Sequence, residues 1–250
     1  MLCIPFLFLV AVTFVGYSAS YYFYYFELAR YTEISPKVIL EIPLKPRVLI
    51  TGVGRSGTTG LNQAFAKAGF KSRHEAFGKE ISIGWSLALY REYPMKDNFE
   101  KNQWHNYLKR HPNVTFDARI HLVRHPLKTI SSLTSIHGPS RKYIIHVTPS
   151  IAYNMSKLEI SMHHWHDWNR RIEKYADKRW QIETVDIQKE CLDLWKDDDR
   201  CLNVMLRPKL SINHRSHEMY SWHNLERIDA VLTNKIKRMC VKYGYSNCSH

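Results

Sequence analysis

A compact apolar run, Arg47-Val-Leu-Ile-Thr51, passes directly into Gly52-Val-Gly-Arg-Ser-Gly-Thr-Thr59. A short apolar run that ends in glycines is the pattern of a buried strand. The next segment, Gly57–Ala68, has helical spacing, with Leu61, Phe65 and Ala68 on one face and Gly69 as a stop. The glycines between strand and helix let the backbone approach a ligand closely, and the free N–H groups at the helix start attract an anion. Arg55, Ser56 and the hydroxyls of Thr58 and Thr59 add donors suited to phosphate or sulfate oxygens.

Further along, Asp117–Val123 is a second core strand closed by Arg124-His-Pro126, Tyr153–Lys174 is a long helical stretch, Trp180–Ile187 is another strand, and Asn224–Tyr243 is a final helix. Strands alternating with helices imply an α/β fold, a parallel sheet with flanking crossover helices. At 250 residues the chain has room for one sizeable domain, and 36 Lys+Arg against 23 Asp+Glu leave a net charge of +13. That surplus points to an anionic partner. No nucleic-acid-binding module accompanies it, so nucleic acid is not the expected one.

Residues 2–26 carry no charge and end in the aromatic run Tyr21–Phe26, which fits a membrane signal anchor over residues 1–26. Ser18-Ala19-Ser20 leaves open a cleaved signal peptide instead. Residues 27–46, with Pro36, Pro43 and Pro46, form a short stem, and 47–250 the expected lumenal domain. Three sequons, Asn113-Val-Thr115, Asn154-Met-Ser156 and Asn247-Cys-Ser249, agree with that compartment. Outside the anchor lie Cys191, Cys201, Cys240 and Cys248, which allow three pairings; the short loops Cys191–Cys201 and Cys240–Cys248 are the expected bridges. No C-x-x-C occurs, and His163, His164, His166 and Asp167 have no completing ligand set, so no metal is expected.

The glycine loop fits several patterns. As a nucleotide P-loop it has Thr58 where the Lys should stand, which argues against an ATPase or GTPase. As a dinucleotide fingerprint, Gly52-x-Gly54-x-x-Gly57 is followed by Glu75, and Tyr153-x-x-x-Lys157 mimics the catalytic pair of short-chain dehydrogenases. The Asn-Ala-Gly segment of those reductases is missing near residue 120.

Arg55-Ser-Gly-Thr-Thr59 after a strand also resembles the 5′-phosphosulfate loop of sulfotransferases that use 3′-phosphoadenosine-5′-phosphosulfate (PAPS). The second motif of that family, a strand-end Arg-x-Pro with a Ser eight residues after the Arg, is matched by Arg124-His-Pro126 and Ser132. His74-Glu75 with Gly84-Trp85, Trp165-His-Asp-Trp168-Asn169, and Tyr243-Gly-Tyr245 resemble further family segments. The resemblance spans about residues 47–246. His125 departs from the usual Asn or Asp, and the C-terminal Gly-x-x-Gly of cytosolic members is absent.

The resemblance implies a P-loop-like sulfotransferase fold with PAPS as co-substrate and no metal. Arg55, Ser56, Gly57, Thr58 and Thr59 would hold the 5′-phosphosulfate and Arg124 and Ser132 the 3′-phosphate; with the Gly-x-x-Gly absent the resemblance names no residue to close over the adenosine, and Asn213-His-Arg215, with Arg215, is the candidate. Glu75 is the first choice for general base and His74 the runner-up, with Arg55 stabilising the leaving phosphate. The acceptor is expected to be a carbohydrate or another hydroxyl compound, and the location a Golgi membrane with the domain lumenal. The alternatives are an NAD(P)-dependent reductase and a catalytically silent nucleotide-binding protein. The motifs encode neither the acceptor's identity nor an oligomeric state.

Overall fold

The computed structural model describes residues 46–89, 114–196, 198–206 and 217–248. Five strands, β1 (Val48–Thr51), β2 (Ser72–His74), β3 (Ile81–Ile83), β4 (Ala118–Val123) and β5 (Lys178–Gln181), form one sheet in the order β2-β3-β1-β4-β5. Every pairing is parallel. Among the described residues seven α-helices accompany the strands: α1 (Thr58–Lys67), α2 (Pro126–Leu133), α3 (Gly138–Val147), α4 (Lys157–Ile172), α5 (Ile187–Leu194), α6 (Trp222–Ile228) and α7 (Ala230–Lys242). The α/β class expected from the sequence is the one found.

The alternation of β1 and β4 explains why helices lie on both faces. Val48 and Ile50, with Ile120 and Leu122, pack into one core with Leu61 and Phe65 of α1 and Ile187 and Cys191 of α5. The intervening His121 and Val123 face the other way, toward α4, where Val123 joins Trp165, Trp168 and Ile172. A parallel strand covered on both faces must be apolar throughout, and β1 is buried at all four positions.

Three boundaries differ from the sequence expectation. The strand expected over 180–187 runs instead over Lys178–Gln181, on the sheet edge, where Lys178 and Arg179 are exposed and Trp180 alone is deeply buried. The helical stretch expected from Tyr153 begins at Lys157, because Ser156 caps it by accepting the Glu159 N–H while Glu159 reaches back to the Ser156 N–H. The last helix is two, broken at Asp229, whose extended backbone and side chain cap α7 through the Leu232 N–H at 2.8 Å.

The cysteines pair as Cys191–Cys201 and Cys240–Cys248, as the short loops suggested. The first bridge sits at the end of the sheet where the strands begin. There Arg200 joins Glu80, just before β3, to Asp198 at 2.9 and 2.7 Å and covers the Phe70 ring at 4.0 Å. No helix among the described residues is long and apolar enough to cross a membrane; the anchor expected over 1–26 and the stem up to residue 45 lie outside them.

Candidate functional site

The chain leaves β1 toward β2 and β3 on one side and later returns to β4 and β5 on the other. In open parallel sheets such a reversal opens a crevice beyond the strand C-termini, where ligands bind. The cleft found there, about 350 Å³, is lined by the loop and first turn after β1 (Gly54, Arg55, Gly57, Thr58, Thr59 and Gly60), by His74 ending β2, Trp85 after β3 and Arg124 after β4. Ser132 of α2 and Ile136, His137 and Ser140 around the start of α3 complete it.

Two glycines make the close approach possible. A Cβ on Gly52 would lie 2.1 Å from the Leu122 carbonyl oxygen, so only glycine lets the β1 loop run against β4. Gly57 has φ +104°, and a Cβ there would meet Ile182 Cγ1 at 2.9 Å. Immediately beyond β4, Arg124 Nη1 donates to the Arg55 carbonyl oxygen at 3.1 Å, joining the two loops. Among the described residues, the non-glycine residues with left-handed backbone are Arg55 (φ +71°) and Glu75 (φ +50°). Both border the cleft, and such strain persists where surrounding structure enforces it, often at functional sites.

The electrostatics are one-sided. Arg55 and Arg124 contribute fixed positive charge, His74 and His137 add imidazoles, and among the described residues no Asp or Glu lines the cleft. The first N–H groups of α1 open onto the same space, and no side chain caps them. A pocket of arginines, hydroxyls and a helix start is suited to an anion.

The expected site residues divide by side-chain direction. Arg55, Gly57, Thr58, Thr59, His74, Arg124 and Ser132 line the cleft. Ser56 does not; it is fully buried, and its hydroxyl has no hydrogen-bond partner among the described residues. Glu75 also points away from the lining. Its carboxylate accepts from the Trp85 N–H at 2.9 Å, the Ser86 N–H at 3.0 Å and the Ser86 hydroxyl, pinning the short 3₁₀ turn Ser86–Leu89. Burial pushes the Glu75 carboxyl above its ordinary range, against the opposing pull of those hydrogen bonds and of His74.

His74 occupies the position between the two. Its Nε2 lies 3.2 Å from Thr58 Oγ1, 3.3 Å from Thr59 Oγ1 and 3.7 Å from Glu75 Oε1. The same nitrogen therefore faces the hydroxyls of the glycine loop and the Glu75 carboxylate. Arg215 lies outside the described residues.

Tyr153, of the dehydrogenase-like pair, is 91% exposed in the turn before α4, and neither it nor Lys157 lines the cleft. His163 and His166 of α4 bond to Ser150 and Asp167, respectively, on the surface. Ile136, His137 and Ser140 were not anticipated from the sequence; they belong to a connection without a motif, and only the helix-start Gly138-Pro139 marks it. No protein-family model, curated protein or solved structure matches this chain.

Proposed function

We propose that the chain is a sulfotransferase that moves the sulfuryl group of PAPS to an acceptor hydroxyl, with a carbohydrate as the expected acceptor. One observation carries the proposal. Two candidate anion-binding sets, Arg55 with the start of α1 and Arg124 with Ser132, meet in one cleft although Arg55 and Arg124 are 69 residues apart. A donor with phosphates at both the 5′ and 3′ positions calls for two such sets, whereas a simple nucleotide needs one.

In the proposed reaction the acceptor oxygen attacks sulfur in line. The new S–O bond forms as the bond from sulfur to the bridging phosphate oxygen breaks, and 3′-phosphoadenosine-5′-phosphate leaves. Arg55 and the α1 N–H groups stabilise the charge that develops on that phosphate. The acceptor proton passes to His74 Nε2, and the Glu75 carboxylate at 3.7 Å stabilises the resulting imidazolium. This geometry favours His74 over Glu75 as the base, reversing their order in the sequence reading. The apolar residues 2–26, the sequons and the two disulfides support an anchored, lumenal, Golgi-type placement.

The test is a thermal-shift titration with 3′-phosphoadenosine-5′-phosphate, with 5′-AMP, NAD and NADP as controls. At a hundredfold excess over its dissociation constant a ligand stabilises by about 2.7 kcal/mol. Selective stabilisation by the bisphosphate supports the proposal, and transfer of labelled sulfate from PAPS to a glycan panel then separates an enzyme from a silent binder. A shift with NADP alone overturns it.

A further inference from the structure

Arg124 reaches the cleft from a very short bridge: β4 ends at Val123 and α2 begins at Pro126. The residue between Arg124 and the proline, His125, is 7% exposed and does not line the cleft. The proline holds it extended, at φ −46° and ψ 128°. Contacts from other parts of the chain fix it at both ends.

The His125 N–H donates to Glu183 Oε1 at 3.1 Å, from the turn after β5. The other oxygen of that carboxylate accepts from the Tyr245 hydroxyl at 2.8 Å. The His125 Nε2–H donates to Asn247 Oδ1 at 3.0 Å, and the ring stands edge-on to Tyr245 at 5.2 Å. Trp222 of α6 approaches the same ring at 6.3 Å and donates its indole N–H to the Asn247 carbonyl at 3.3 Å. The Cys240–Cys248 disulfide ties this C-terminal turn back to α7.

Protonation states agree with the bonding. Burial holds the His125 imidazole below its usual range despite Asn247 and Glu183, so it is neutral and offers one N–H. Burial and the Glu183 carboxylate push the Tyr245 hydroxyl well up, so it remains a donor. His125, Cys240 and Cys248 have ligand atoms near enough for a metal, but the sulfurs are already joined to each other.

We infer that Asn247, Tyr245 and Glu183 are positioning residues: through His125 they fix Arg124, and the C-terminal turn thereby sets the affinity of the cleft for a 3′-phosphate. The inference rests on the proposed donor. An arginine held in advance loses less side-chain freedom when the anion arrives. Loosening His125 therefore weakens the contact Arg124 offers a 3′-phosphate, while its bond to the Arg55 carbonyl and the donors of the 5′-phosphate loop remain.

Calorimetric titration of Asn247→Ala with 3′-phosphoadenosine-5′-phosphate and with 5′-AMP tests this. The expected result is about tenfold weaker bisphosphate binding with 5′-AMP affinity unchanged, and no further loss when Asn247→Ala is added to Arg124→Ala, as for two residues acting as a unit. Tyr245→Phe, a milder change, is expected to give the same selectivity at about two- to threefold. Equal loss for both ligands, additive losses in the double variant, or a lowered melting temperature with both affinities intact would overturn the inference. A wild-type protein with no preference for the bisphosphate over 5′-AMP overturns the donor proposal itself. A preference undiminished in Asn247→Ala overturns the positioning role alone.

Discussion

Arg124 leaves β4 with one guanidinium N–H already donated to the Arg55 carbonyl, so its remaining donors are held toward the cleft before any ligand binds. Replacing it with alanine removes a charge-assisted contact worth about 1.5–3 kcal/mol. Titration calorimetry should show Arg124→Ala binding the 3′,5′-bisphosphate at least about tenfold more weakly while 5′-AMP binds as before. An equal loss for both ligands would move Arg124 away from the 3′ position. His74 and Glu75 are separable in the same way. His74→Gln should lower turnover by about 10²–10⁴ with bisphosphate affinity preserved, as for a lost general base. Glu75→Gln puts an amide N–H₂ among the N–H and O–H donors of Trp85 and Ser86, so a fall in melting temperature should accompany its loss of turnover. If Glu75→Gln abolishes turnover while His74→Gln leaves it intact, the assignment reverses.

The elements divide the molecule into two ends. At the strand C-termini lie the cleft and the turn braced by Cys240–Cys248; at the strand N-termini, Cys191–Cys201 and the Arg200–Glu80–Asp198 cluster hold α5 and the following 3₁₀ turn against the sheet. Trp195, between those cysteines, donates to the Pro46 carbonyl just before β1. Removing the first bridge by replacing Cys191 and Cys201 with alanine should cost about 2–3 kcal/mol, as for a loop of this length, read from the denaturant midpoint. Bisphosphate affinity should not change, because the bridge lies at the opposite end of the strands. Legibility in the sequence followed burial. β1, α1 and β4 were found because their apolar patterns are long enough to read, whereas β2 has no fully buried residue and β3 spans only Ile81–Ile83. β5 was displaced because Ile182, Val185 and Ile187, which looked like strand, pack from a turn and from α5. The cleft residues that follow a strand end with a motif, Arg55, Thr58, Thr59 and Arg124, are legible in the sequence. The direction of Ser56 and Glu75 is not, because a left-handed Arg55 or Glu75 leaves no mark in composition.

At the scale of the whole molecule, two neutral histidines are built into the core on the α4 side of the sheet. His121 of β4 is 1% exposed and bonds Asn169 of α4 at 2.8 Å; His164 of α4 is fully buried and bonds Thr148 at 3.1 Å. Burial lowers their pKa values from 6.5 to about 4 and about 3, respectively. At these two positions the unfolded chain therefore binds two protons that the folded chain refuses, and folding loses stability as pH falls from 6.5 toward those values; His125 acts in the same direction and the raised Glu75 carboxyl in the opposite one. Above pH 6.5 both forms are neutral and the effect vanishes. At pH 5 each histidine costs about 2 kcal/mol, a large share of a total of about 5–15 kcal/mol. Asp167 does not offset this. Although burial opposes its charge, hydrogen bonds from His166 and Ser150 hold it near 2, so it loses its contribution only below its unfolded value of 3.8. Urea denaturation at intervals between pH 7.5 and 5 should show stability flat above 6.5 and falling below it, with His121 and His164 each contributing up to one proton to the slope. In His121→Gln, which retains a donor for Asn169, the slope should fall by about one proton whatever the variant's absolute stability. A wild-type profile flat down to pH 5, or an unaltered slope in the variant, would mean that one or both imidazoles accept a proton inside the fold and that the core is wetter than its packing indicates.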